Sequence, residues 1–281
     1  MMTVFRYALA RSRGQIIGWG MAVFLLGLLL VPFYDTLVDQ QDQLLDLLSA
    51  YPPELMAFFG DMQTAFTPAG YLNLEMFSYM PLILGVFALL AGSGLVVSDE
   101  ENGTLDLLLA HPVSRSAMFA GRLLAFVVAT LCILAIGWLG LVIPMGSSQY
   151  LDLSLLEAAL PFLSLFSVLM LFGSLGMVLS VSLPSRRLAA MLSGFVLAAS
   201  FFITSLARVI ADLETAADFS PLSYYQGGEA IDGLNAGWLV GLLAISAVFM
   251  ALAWWRFQRR DIRVAGEGGW RLPWRRRRAT V

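Results

Sequence analysis

Six long stretches without a single charged residue constrain this chain more than any other feature. They are Ile16 to Phe33, Phe77 to Val97, Leu123 to Ile143, Leu160 to Leu183, Leu188 to Leu206 and Gly237 to Trp255. About 20 apolar residues of helix, rising roughly 1.5 Å each, cross a bilayer core of about 30 Å, and inside lipid the backbone must satisfy its own hydrogen bonds. The expected fold is therefore all-α, a polytopic membrane protein with six transmembrane helices. Composition agrees, since 59% of residues are apolar and 13% charged, against roughly 45–50% and 25% in soluble domains. Pro184-Ser185-Arg186-Arg187 reads as a tight turn between the fourth and fifth spans, with one long broken helix as the competing reading.

Charge fixes the orientation. All 17 basic residues are arginine. With six spans, Arg6, Arg11, Arg13, Arg115, Arg122, Arg186, Arg187 and the nine arginines of the tail fall on one side, and only Arg208 falls on the other. The first, third and fifth connections carry acids instead. Cationic flanks are retained in the cytoplasm, so both termini and the stretch Asp99 to Arg122 are expected there, in a multi-pass protein of the cell inner (plasma) membrane. The chain divides into a cytoplasmic interfacial helix over 1–15, a transmembrane domain over 16–255 and a basic cytoplasmic tail over 256–281.

The connections carry secondary signals. Val4, Phe5, Ala8 and Leu9 share one helical face with Arg6 and Arg13 opposite, the pattern of an amphipathic helix lying on the inner leaflet; a frayed cationic anchor is the alternative. On the outer side, Leu37, Val38, Leu44, Leu45 and Leu48 repeat at helical spacing. Thr67-Pro68 marks a helix start leading into the second span, so Tyr34 to Met76 reads as a small helical cap. Ser220 to Tyr225, followed by Gly227-Gly228, fits either a short interfacial helix pair or an exposed loop. The tail, with Trp270, Trp274 and Arg275 to Arg278, reads by default as a topology anchor and would be drawn to anionic membrane lipid at about 1 kcal/mol per cation; no nucleic-acid partner is expected.

The inventory for chemistry is poor. A P-loop places a lysine on the phosphates, so a chain without lysine leaves ATP to another subunit. His111 and Cys132 are each the sole residue of their type, which excludes the common zinc sites. Serines within the spans (Ser164, Ser167, Ser174, Ser180, Ser193, Ser200) lack an evident base and read as helix-packing residues, as do Gly173-Ser174-Leu175-Gly176 and Gly92-Ser93-Gly94. Asp99-Glu100-Glu101 has the composition of a divalent-metal ligand set, although adjacent carboxylates more often face solvent. Spans without ionisable groups fit ion-coupled transport poorly, and energy entering from outside the bilayer fits better.

The conspicuous cytoplasmic stretch is where it would enter. Three carboxylates, a turn at Asn102-Gly103, a leucine-rich helix from Thr104 to Ala110, a break at Pro112 and an N-cap at Ser114 follow in order. Residues Glu101 to Arg115 resemble the E-x-G-T-L-E-x-L-L-x-x-P-V-S-R signature of ABC transporter permeases of the type-2 export class. Phe59-Gly60, Thr67-Pro68-x-Gly70-Tyr71, Ser220-Pro221 and the overall spacing extend the resemblance to nearly the whole chain. Asp106 stands where glutamate is usual, and Gly121-Arg122 where Gly-Lys is frequent; both keep the charge.

The resemblance implies an N-terminal interfacial helix and a coupling helix that docks into a groove on a separate ABC ATP-binding subunit. Carried over by motif, the coupling residues are Glu100, Glu101, Gly103, Thr104, Leu105, Asp106, Leu108, Leu109, Pro112 and Arg115. The leucines would anchor in the partner, the acids set register, and Arg115 meet an acidic partner or phospholipid. This chain is then a non-catalytic permease without a cofactor of its own, with ATP and Mg on the partner subunit. A second permease copy or paralogue would complete the translocation path. The alternatives are a membrane-embedded enzyme of lipid or envelope metabolism using Asp99, Glu100, Glu101 and His111, and an anchoring subunit without transport of its own.

Overall fold

The structure, a computed structural model, describes residues 1–49, 62–95, 97, 114–207 and 209–259. Its helices in chain order are α1 (Met2–Arg11), α2 (Arg13–Asp39), α3 (Gln41–Ser49), α4 (Pro68–Leu72), α5 (Met80–Gly94), α6 (Arg115–Met145), α7 (Leu160–Ser182), α8 (Arg186–Ala207), α9 (Glu214–Ala217) and α10 (Ala236–Arg259). No strand occurs among the described residues, and the chain is an all-α polytopic membrane protein. Helices α2, α6, α7, α8 and α10 are each long and apolar enough to cross a membrane. The turn expected at Pro184-Ser185 separates α7 from α8, so these are two spans and not one broken helix.

The second expected span is where the structure departs from a straight rod. Helix α4 starts at Thr67, whose hydroxyl accepts from the Gly70 amide at 3.1 Å, with Pro68 in the first turn. It continues through a π turn at Asn73–Phe77 and meets α5 at a bend of 45°. Taken together as one broken span, these pieces make the sixth. The cause lies in Pro81, which has no N–H to give the Phe77 carbonyl. Tyr225 supplies the missing donor, its hydroxyl lying 2.9 Å from Phe77 O. Burial pushes the Tyr225 phenol well above its ordinary range, so it stays a neutral donor.

Helix α7 forms the spine. It is apolar on every side and mostly buried, with α5, α8 and α10 packed around it, as an all-round hydrophobic helix requires. Helices α2 and α6 form a second pair, and α1 lies on α6. Glycine makes the closest approaches possible: a Cβ on Gly92 would overlap the Gly173 carbonyl of α7, and one on Gly140 would overlap Phe24 of α2. Four of the span serines are spent locally. Ser167, Ser174, Ser180 and Ser193 donate to carbonyls three or four residues back in their own helices, which leaves them as packing residues.

Charge separates cleanly along the bundle. Every described arginine sits at the end formed by α1, the start of α2, the end of α5, the starts of α6 and α8, and the end of α10. Every described Asp and Glu sits at the other end. That carboxylate end is tied by side chains. Tyr34 donates to Phe66 O at 2.7 Å and Tyr71 to Leu30 O at 2.9 Å, with their rings 4.9 Å apart. Ser148 Oγ donates to Asp35 at 2.5 Å, and Tyr150 to Asp39 at 2.7 Å, fastening the exit of α6 to α2. The fifth connection is more than an exposed loop: the 3₁₀ turns Pro221–Tyr224 and Gly227–Ile231 fold inward, burying Leu222, Ala230 and Ile231. Gly228 N there donates to Asn73 Oδ1 at 3.0 Å, and Gln226 N to Ser164 Oγ at 3.0 Å.

Candidate functional site

Of the residues singled out by sequence, Glu100, Glu101, Gly103, Thr104, Leu105, Asp106, Leu108, Leu109 and Pro112 lie outside the described residues, as do Asp99 and His111. Arg115 lies inside, and so do both flanks of that segment. The flanks emerge at the arginine end, and the chain chemistry that fastens them is visible in detail.

On the downstream side, Ser114 is extended and its hydroxyl accepts from the Ala117 amide at 3.2 Å, the N-cap read from sequence. Arg115 then reaches across to α10, donating from Nη1 to Gln258 O at 3.5 Å. The Gln258 amide returns a bond to Ser116 Oγ, and one turn further in Phe119 stacks on Phe257, centroids 6.2 Å apart and planes at 28°. Helix α6 is thereby stapled at its first turn to the last turn of α10.

On the upstream side the last turn of α5 is held by cations. Arg122, only 7% exposed, donates from Nη1 to Leu95 O at 2.9 Å, and Arg186 donates from Nη2 to Leu90 O at 3.3 Å. Leu95 O lies past the helix end, where carbonyls have no intrahelical donor, and the whole last turn carries partial negative charge, which suits guanidinium groups. Leu95 and Val97 are both buried. Arg122 thus links the two flanks directly, since it belongs to α6 and binds the end of α5.

Helix α1 closes the third side. Val4, Phe5, Ala8 and Leu9, the face expected from periodicity, are its half-buried residues. Their neighbour is α6, which approaches so closely at Gly121 that a Cβ there would lie 2.9 Å from Met1 O and 3.2 Å from Val4 Cβ. Between α1, the starts of α2 and α8, α5 and α6 opens a cleft of about 510 Å³, lined among others by Arg11, Gln15, Leu90, Arg122, Phe126 and Arg186.

Sequence reading identified the N-cap and the amphipathic face; it expected Arg115 to meet an acidic partner or phospholipid and missed its bond to Gln258 O and the roles of Arg122 and Arg186. Their signal was weak: an arginine at the margin of a span reads as an orientation marker, whichever carbonyl it binds. Among the described residues no cluster of His, Cys, Asp or Glu is placed to hold a metal.

A family model described as ABC-2 family transporter protein matches residues 2–262. No curated protein matches the chain significantly.

Proposed function

Because the chain belongs to the ABC-2 family of transporter proteins, a membrane permease family of ABC transporters, we propose that it is the export permease of an assembly whose ATPase is a separate subunit docking on residues 98–113. Both flanks of that segment are fastened to the same end of the bundle, and this observation carries the coupling reading. The arginine staples would transmit a push on the segment to α5, α6 and α10 together. By the positive-inside rule the arginine end is cytoplasmic, with both termini, which is where a soluble ATPase and its ATP and Mg would be found.

In this reading two permeases, identical or paralogous, face each other, and ATP-driven closure of two ATPase subunits rocks the bundles. The cargo path lies between the permeases, along α5 and α8. Helix α8 leaves Met191, Phe195 and Phe202 on its outward face, a surface suited to lipid and to a second permease.

The test is affinity purification of the full-length chain from its native membrane. The expected result is co-isolation of a soluble-type ATPase whose retention falls at least tenfold in Leu108→Asp and Glu101→Arg. Wild-type retention and transport in both variants would overturn the coupling assignment. Transport or other turnover by the chain without any ATPase would favour the membrane-enzyme reading.

A further inference from the structure

Between Asn73 and Pro81, three departures from a regular helix coincide. The π turn closes with Ser78 N donating to Asn73 O at 2.8 Å, Pro81 has no N–H to reach back to Phe77 O, and the axis bends by 45°. What holds this joint comes from outside the helix. Tyr225 Oη donates to Phe77 O at 2.9 Å and Gly228 N to Asn73 Oδ1 at 3.0 Å, both from one stretch of the fifth connection. Gly228 sits so near that a Cβ on it would lie 2.6 Å from Ala69 O and 2.7 Å from Asn73 N. The piece above the joint is thereby locked to the outer cap.

Below the joint, α5 is held by contacts of another kind. Gly92 meets Gly173 of α7, and Gly176 of α7 meets Leu89 O, backbone against backbone. No side-chain ridge sits in a groove at these points, so sliding of α5 along α7 meets little steric resistance there. A cavity of about 470 Å³ adjoins the joint, with Ser78 and Pro81 on one wall, Tyr225 and Gln226 on another and Thr204 of α8 on a third. Close-packed interiors resist gradual deformation, and open space beside a helix break is where a change of angle is accommodated.

We propose that residues 73–81 form a hinge on which α5 swings beneath a stationary outer cap, with Tyr225 as the positioning residue that fixes the pivot. Hinges are a few element-terminal residues that absorb a change in backbone angles, and π turns and prolines are common places for one. Helix α5 has 15 residues and is about 22 Å long, so a change of about 10° in the bend carries its far end about 4 Å while Phe77 stays in place. Motion entering at the arginine end would then reach the middle of the bundle without breaking the ties of the cap. Only the drive for the swing depends on the coupling reading; the hinge itself belongs to this chain.

The test is distance measurement between spin labels on the full-length permease in lipid nanodiscs, in a Cys132→Ala background with unlabelled chain in excess. Leu74, Leu90 and Leu156 are exposed and are replaced by cysteine in pairs. The pair 90–156 reads across the joint, and the pair 74–156 lies within the cap. Tyr225→Phe should widen the 90–156 distribution about twofold and leave 74–156 unchanged. Pro81→Ala gives Phe77 O an intrahelical donor, so it should narrow 90–156 and make Tyr225→Phe silent in its background. An unchanged 90–156 distribution in Tyr225→Phe, or equal widening of both pairs, would overturn the hinge. Equal widening by Tyr225→Phe with and without Pro81 would reduce Tyr225 to packing and overturn its positioning role. With the co-isolated ATPase, a non-hydrolysable ATP analogue should shift 90–156 in the parent chain and not in Pro81→Ala. A joint that responds to Tyr225 and Pro81 but not to nucleotide would support the hinge and contradict the coupling reading instead.

Discussion

At the carboxylate end of the bundle, loops are fastened to helices mostly by neutral hydroxyls and amides, Tyr34 to Phe66 O, Tyr71 to Leu30 O, Asn73 to Gly228 N and Gln226 to Ser164, with Asp35 and Asp39 accepting from Ser148 and Tyr150 beside them. At the arginine end, helices are fastened to helices by guanidinium groups on carbonyls near helix ends. The two devices differ in what they permit. A buried neutral hydrogen bond has one good geometry and loses most of its value when displaced. A guanidinium on a long flexible stem offers five donors and can exchange one carbonyl for another while its charge remains near a helix C-terminus. The contrast describes a bundle with fixed ties at one end and adjustable ties at the other, and the adjustable end holds the segment proposed to receive energy.

Substitutions that ignore this contrast should be the most damaging. Gly92→Leu drives a side chain into the α7 backbone between the two ends. It should cost at least about 3 kcal/mol, read as loss of a cooperative thermal transition in detergent. Arg122→Ala acts at the arginine end alone. It leaves the buried Leu95 carbonyl without its cation and should cost about 2 kcal/mol, with faster amide hydrogen exchange confined to residues 90–97 and 114–122. Asn73→Ala is the counterpart at the carboxylate end. It strips the Gly228 amide of its acceptor, should cost about 1 kcal/mol, and should raise exchange near 226–231 while the arginine end stays unchanged. If either variant loosened both ends equally, the division would be wrong.

The smallest effect concerns pH. The hydrogen bond to Asp39, then the charge of that carboxylate, raise the Tyr150 phenol above its ordinary value. A raised phenol contributes fully below the unfolded value and loses that contribution as pH rises through the folded one. The tie to α2 should therefore persist through neutral pH and fail only in strong alkali. Ultraviolet titration of tyrosinate checks this, with one late-ionising residue fewer in Tyr150→Phe than in the parent chain.

Much of the fold was legible because lipid makes few demands and makes them everywhere. Spans, the α7–α8 turn, the Thr67 and Ser114 caps and the face of α1 follow from hydropathy, periodicity and capping chemistry. The bend between α4 and α5 was less visible. Pro81 announces a lost donor, but the replacement comes from Tyr225, far along the chain. Likewise, periodicity gave the half-buried face of α1 and could not say that α6 approaches it at Gly121. The cleft was illegible for the same reason: Arg11, Arg122 and Arg186 are distant in sequence, and each alone is an ordinary positive-inside residue. The segment 98–113 was read from its motif, and its flanks show only where it is anchored.

Hydrogen exchange on the permease co-isolated with its ATPase, compared without nucleotide and with a non-hydrolysable ATP analogue, tests the central claim most directly. Nucleotide should change exchange at 90–97, 114–122, 182–190 and 255–259, while 64–77, 146–159 and 220–235 remain protected. Changes confined to the carboxylate end, or none at the flanks of 98–113, would contradict entry of energy through the arginine end.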